Sequence, residues 1–362
     1  MSSVTNHLQF IRSSFGCVLA VTLSCFAAAQ PAVSQQVIAP PANTAIAPAD
    51  QAAQVITAAL QAAHTEFAAL DEGKNADYIP ALAAVDPKLF GIALVTVDGK
   101  VFQIGDCDAL FAIESISKVF TLAQVLQESG EQIVEDNIGV DATGQVFNSI
   151  VAIEQDHGFQ QNPFVNAGAI TTSGMVLGSS DNEKWTKILN RHNLFAGRTL
   201  SVNEPVFKSE AATNQRNQAI AELMAAYGHI KDDPKMVTTV YTRQCSINVN
   251  AKDLATMAAT LANGGLNPVT GVVALDAHHV PKVLAVMATA GLYDDSGIWL
   301  YNVGLPAKSG VGGGIIAVAP GKYGIAAFSP PLDAAGNSVR SQKAIEKIAD
   351  RLGGNPYRVT PQ

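Results

Sequence analysis

Phe90-Gly-Ile-Ala-Leu-Val-Thr-Val97, Asp98-Gly99 and Lys100-Val-Phe-Gln-Ile104 form two runs rich in β-branched residues, joined by an Asp-Gly pair. Glycine accepts the positive φ that tight hairpin turns demand, so this stretch predicts an antiparallel hairpin. A second hairpin pattern lies near the far end, where Gly314-Ile-Ile-Ala-Val-Ala319 and Tyr323-Gly-Ile-Ala-Ala-Phe328 flank Pro320-Gly-Lys322. Working outward, Gln51 to Leu70 carries Val55, Ala58, Leu60, Ala63, Phe67 and Leu70 at helical spacing, and Ser338 to Leu352 is a second amphipathic stretch. Between the hairpins, Ser115 to Leu292 reads as helical, including Trp185 to Leu189, Asn217 to Tyr227, and Asp253 to Ala262 before Asn263-Gly-Gly265. Strands from both ends are therefore expected in one antiparallel sheet. The predicted class is α+β, a sheet flanked by terminal helices with a large inserted helical subdomain. The expected division is a sheet subdomain of about 51–114 plus 293–362 and a helical insert of about 115–292, with the site in the cleft between them.

The chain of 362 residues is 48% hydrophobic and 15% charged, with a formal net charge of −8. That acidic balance, without Lys/Arg runs, argues against nucleic acid as a partner. Residues 1–29 differ from the rest: Arg12 is their only Lys or Arg, Phe15 to Ala29 is apolar, and Ala27-Ala28-Ala29 precedes Gln30. This reads as a cleavable signal peptide and implies a periplasmic or secreted protein, cytoplasmic only if that reading fails. The alternative of a membrane anchor meets an apolar run shorter than the ~20 residues of a span. A lipid anchor at Cys25 meets Thr22 where such sites prefer leucine. Residues 30–50, with Pro31, Pro40, Pro41 and Pro48, read as a flexible leader, and 51–362 as the catalytic domain. Loss of the signal leaves Cys107 and Cys245, expected as two free buried thiols.

The chemistry centres on Glu114-Ser-Ile-Ser-Lys118, which opens the apolar run Val119 to Leu126. Helical side chains three apart share a face, so the Ser115 hydroxyl and Lys118 amine are expected within hydrogen-bond reach. Burial lowers a lysine pKa, which lets Lys118 take the serine proton, and a helix N-terminus favours the developing charge. One chance Ser-x-x-Lys is expected in roughly every chain of this length, so the spacing alone decides little. Ser117, adjacent to Lys118, is the competing nucleophile and is read as structural. Lys308-Ser-Gly310 runs into Val311-Gly-Gly-Gly314, and in serine enzymes of the penicillin-recognising type such a strand lines the site opposite the Ser-x-x-Lys helix. The glycines admit backbone N–H groups close to a substrate oxygen, and the residue order of a phosphate loop is absent. In Tyr241-Thr-Arg-Gln-Cys-Ser246, Tyr241 is either a proton carrier or a buried ring. The seven histidines show no metal spacing, and His278-His279 reads as a solvated loop pair. No metal and no cofactor are expected.

Further segments carry a resemblance. Tyr78-Ile-Pro80, Gly105-Asp-Cys107, Glu114-Ser-Ile-Ser-Lys118, Asn162-Pro-Phe-Val-Asn-Ala-Gly-Ala169, Ser209-Glu210, Thr213-Asn-Gln-Arg-Asn217, Tyr241 to Ser246, Gly291-Leu-Tyr293 and Pro306 to Gly314 follow one another as in bacterial glutaminases of the serine-dependent, β-lactamase-like family. The resemblance runs from about Asp77 to the end and implies a β-lactamase/transpeptidase-like fold. It implies hydrolysis of L-glutamine to L-glutamate and ammonia through a γ-glutamyl ester, with Ser115 as nucleophile and Lys118 as base. It also implies Tyr78, Asn166, Glu210, Asn217, Tyr241 and Tyr293 as glutamine contacts, Tyr241 or Tyr293 as proton carrier, and the N–H groups of Ser115 and Val311 as the oxyanion hole. A homo-oligomer, dimer or tetramer, is the implied assembly. The chemistry agrees, because an α-ammonium calls for an anion such as Glu210 and an α-carboxylate for amide donors such as Asn166 or Asn217. Two other readings stay open on the sequence: a β-lactamase or D,D-peptidase, which suits the same Ser/Lys pair, and a non-catalytic periplasmic amino-acid-binding protein. The role of Glu114 is left open.

Overall fold

The hairpin over residues 90–104 forms as β1 (Gly91–Thr96) and β2 (Val101–Gly105), paired antiparallel in the computed structural model, which describes residues 49–359 and 361. The expected signal peptide and most of the leader lie outside the described residues. Two short strands, β3 (Phe111–Ala112) and β4 (Ser201–Val202), pair with β5 (Ile247–Val249) in a small three-stranded sheet. The second hairpin forms as β7 (Gly314–Ala319) and β8 (Tyr323–Phe328), preceded by β6 (Ala307–Ser309). The main sheet has the order β2-β1-β8-β7-β6 with every pair antiparallel, so the hairpins from the two ends of the chain join through β1 and β8.

Side chains alternate across a strand, and the two faces of this sheet fill separate cores. Ile92, Leu94, Ile315, Ala317, Ile325 and Ala327 pack with Leu60 and Ala63 of helix Ala49–Phe67 and with Ala344, Ile345 and Ile348 of helix Val339–Arg351. Ala93, Val95, Ile316, Val318, Ala326 and Phe328 face the other way, into the core of Val119, Leu122, Leu254 and Ala258. Both faces of β7 and β8 are covered, which is why these strands read as continuous apolar runs. Helix Ala251–Ala262, started by a reciprocal Asn250/Asp253 capping box, lies against β8 so closely that a Cβ at Gly324 would come within 2.0 Å of the Ala259 nitrogen. Gly324 therefore sets the distance between helix and sheet.

The stretch between the hairpins is helical as expected. Helices Ser117–Ser129, Asn166–Met175, Asp181–Ala196, Glu204–Thr213, Gln215–Ala226 and Pro234–Cys245 build the wall facing the end of the sheet. Several begin on side-chain caps: Ser180, Asn203 and Asp233 each accept from a backbone N–H of the first turn. Cys107 and Cys245 are free and buried. His279 departs from the expectation of a solvated pair: it is buried, with Nδ1 3.5 Å from the Glu131 carboxylate, while His278 is exposed. Adjacent residues in a 3-10 turn point in different directions, so one ring packs inward and the other does not. Among the described residues no helix is long and apolar enough to cross a membrane.

Candidate active site

Ser115 sits in a single 3-10 turn, Glu114–Ile116, and the α-helix proper starts at Ser117. The turn follows β3 and precedes a helix whose first ten residues are all buried, so it is held from both sides. Lys118 is 1% exposed, and its Nζ donates to the Phe164 carbonyl at 3.0 Å and to Asn166 Oδ1 at 2.8 Å. Its closest partners thus come from the loop and helix around Asn166, rather than from the Ser115 hydroxyl that the i, i+3 spacing predicts. Burial lowers the Lys118 pKa to about 8, while Cys245, Glu114 and Glu210 hold it from falling further. An amine with that pKa is partly neutral near pH 7 and can accept a proton.

Asn166 links several of the expected residues. Its Oδ1 accepts from Lys118 and, at 3.3 Å, from the Tyr241 hydroxyl, and its Nδ2 donates to Asn217 Oδ1 at 2.9 Å. The Tyr241 phenol is pushed well above its usual pKa, chiefly by burial, so it stays a proton donor across the neutral range. Glu210, on helix Glu204–Thr213, is buried, and burial raises its carboxyl to about 8 with Lys118 pulling the other way. Its Oε2 has no hydrogen-bond partner. An oriented, unpaired carboxylate in a cleft is what an ammonium would satisfy.

The opposite wall is the loop from Gly310 to Gly313 between β6 and β7. The Val311 N–H pairs with no backbone carbonyl among the described residues. Tyr293, in a 3-10 turn with φ of +56°, turns its phenol toward the Ser115 and Ser309 hydroxyls, though no hydrogen bond of ordinary geometry closes there. Lys308 is fully buried; its Nζ donates to the Gly291 and Ser309 carbonyls and lies 4.3 Å from the centre of the Tyr293 ring. Burial, then the charge of Lys118, keeps its pKa well below the ordinary lysine range.

These walls enclose a cleft of about 650 Å³ open to solvent, lined by Ser115, Asn166, Glu210, Asn217, Tyr241 and Val311. Tyr78, 55% exposed, forms its rim. Tyr293 packs against Phe147 with ring centroids 4.8 Å apart and the ring planes tilted by 40°. Phe147 and Arg216 also line the cleft and were not anticipated. Arg216 lies within the segment of residues 213–217 without having been given a role there, and Phe147 lies in a loop without periodicity. Glu114, Glu210 and Cys245 bring one side-chain ligand atom each within 4.8 Å of one another. That spacing would admit a cation, but Lys118 is coupled to all three and already supplies positive charge there.

A hydroxyl, a low-pKa amine, an unpaired carboxylate and amide donors around one small cleft suit an amino-acid amide, and comparison with known proteins agrees. The glutaminase family model matches residues 73–357. A glutaminase of Colwellia psychrerythraea is 52% identical over 303 residues, 84% of this chain and 97% of that protein. A glutaminase of Mycobacterium ulcerans is 52% identical over 280 residues, 77% of this chain and 88% of its own. A solved probable glutaminase, ybaS, superposes with a TM-score of 0.84 at 48% identity, covering 85% of this chain and 99% of that one. Mglu in its glutamate form gives 0.78 at 36% identity, covering 83% and 69%. With a family model spanning the whole sheet and cleft, and relatives of this identity along nearly their full length, this chain belongs to the glutaminase family.

Proposed function

We propose that this glutaminase hydrolyses L-glutamine to L-glutamate and ammonia through a γ-glutamyl ester on Ser115. The observation that carries the reading is the meeting of Ser115, Asn166, Glu210, Asn217, Tyr241 and Val311, from six separate segments, on one cleft. Glu210 receives the α-ammonium, and Asn217 with Asn166 the α-carboxylate, which leaves the side-chain amide extended toward Ser115. Lys118 takes the Ser115 proton as Oγ attacks the amide carbon, and the Ser115 and Val311 N–H groups stabilise the oxyanion. Tyr293 or Tyr241 then hands a proton to the departing nitrogen and is reprotonated by the proton Lys118 took from Ser115, ammonia leaves, and water, giving a proton back to the Ser115 oxygen, cleaves the ester to release glutamate.

Rapid quenching with glutamine followed by peptide mass analysis tests the reading. A γ-glutamyl mass on the peptide, mapped to Ser115, is expected; mapping to Ser117 would overturn it. The amino-terminal pattern further supports export with cleavage near Gln30. Intact mass of the protein from fractionated cells checks this, and full-length chain in the cytoplasm would reject it. A homo-oligomer, dimer or tetramer, is the proposed assembly, to be read by light scattering, and 51–362 the proposed catalytic domain.

A further inference from the structure

Glu114 is the one buried carboxyl in the cleft that the mechanism above leaves idle. It is 2% exposed, its Oε1 has no hydrogen-bond partner, and its backbone is held at φ +52°, a region that residues with a side chain rarely occupy. The glycine loop of the opposite wall is shaped around it: a Cβ at Gly310 would come within 3.3 Å of Glu114 Cβ, and one at Gly312 within 3.3 Å of Glu114 Cγ. This packing holds the carboxyl beside Glu210 and Cys245, all within 4.8 Å. A strained backbone with a fitted loop, directed at a second carboxyl, is more than core filling requires.

We propose that Glu114 is the positioning residue of the ammonium subsite, remaining a neutral carboxylic acid beside Glu210 so that Glu210 alone carries the charge that meets the substrate. The proposal rests on the reading of Glu210 as the ammonium contact. Two buried carboxylates this close do not both ionise, because burial and mutual repulsion both penalise the second charge. The groups facing the pair are Lys118, Tyr241, Cys245, Tyr78 and Tyr293. The phenols and the thiol are pushed upward and stay protonated, so Lys118 is the cation among them. Burial, then Glu210, raises Glu114 well above the usual carboxyl range. A single negative charge matches a single ammonium. Ammonium binding to a protonated Glu210 breaks its O–H bond and sends that proton to solvent, while Glu114 keeps its own.

The test uses the full chain carrying Ser115→Ala, saturated with L-glutamine at pH 8, against the same protein with Glu114→Gln added. The infrared difference spectrum should show one protonated-carboxyl C=O band lost with Glu114. Glutamine affinity by calorimetry should stay within about threefold, because the glutamine amide mimics a neutral acid in size and donor capacity. No lost band, or a double variant that no longer binds glutamine while unfolding at an unchanged temperature, would overturn the proposal. Glu210→Gln in the Ser115→Ala background separates the two ideas: unchanged glutamine affinity there would remove the ammonium reading itself, whatever the Glu114 band does.

Discussion

Lys118 on the helical wall and Lys308 on the strand wall are both buried, and both donate to main-chain carbonyls, yet their surroundings suit different work. Lys118 has Cys245, Glu114 and Glu210 around it, and its pKa settles at about 8. Lys308 has the Gly291 and Ser309 carbonyls, the Tyr293 ring, and the repelling charge of Lys118, and its pKa falls well below the lysine range. Burial alone does not make a general base. The Glu210 carboxylate helps keep the first amine's pKa near 8, where the proposed base can both take and return a proton; the second amine ties the Gly291 and Ser309 carbonyls together beside the Tyr293 ring.

The largest expected effect breaks the Lys118 side of this contrast. Ser115→Ala and Lys118→Arg should each lower kcat by about 10³-fold or more, arginine keeping the charge but not the ability to deprotonate. Initial rates of ammonia release measure this, and substantial turnover by either variant would undo the assignment. Next, Glu210→Gln removes the charge and keeps the volume, so the apparent affinity for glutamine should fall by about 10- to 150-fold, the equivalent of ~1.5–3 kcal/mol. A KM equal to wild type would show that the ammonium sits elsewhere.

The pH profile sharpens the comparison. The base must be neutral, so with Lys118 at about 8 the rate should rise about tenfold per unit at lower pH and level off above that value. Glu210, also raised to about 8, must be ionised to hold an ammonium, so KM should improve over the same range. A log(kcat) flat from pH 6 to 8 would contradict a lysine base. For the other lysine, Lys308→Met removes the buried Nζ donor from the Gly291 and Ser309 carbonyls, of which Gly291 keeps the Ser309 N–H, and should cost about 1–3 kcal/mol of stability in denaturant unfolding, with kcat down about tenfold through a loosened Tyr293. Were a folded Lys308→Met as inactive as Lys118→Arg, the two amines would be sharing the proton and the contrast would fail. The smallest effect belongs to Ser117, whose hydroxyl donates to the Glu114 carbonyl at 2.6 Å. Ser117→Ala should cost about 1 kcal/mol of stability and leave turnover near wild type.

Both hairpins, the terminal helices and the helical stretch between them were legible in the chain, because each is a local pattern of periodic burial that packing then used on both faces of the sheet. The residues expected around glutamine were legible as motifs, and the structure brings Tyr78, Ser115, Asn166, Glu210, Asn217, Tyr241 and Val311 to one cleft, with Tyr293 packed at a tilt against its Phe147 wall. Phe147 and the burial of His279 were not legible, since neither carries a spacing that distinguishes it from a loop residue.

The sequence by itself determined the α+β order of elements and the neighbourhood of the proposed nucleophile, for both follow from side chains within a few residues of one another. Only the tertiary structure decided which groups set the protonation of those side chains. Lys118 meets Asn166 across 48 positions, and Glu114 and Lys118 are tied to a carboxyl on the distant helix Glu204–Thr213. The strength of a charge's interactions depends on distance in space and on the exclusion of water, and neither quantity exists until the chain has folded.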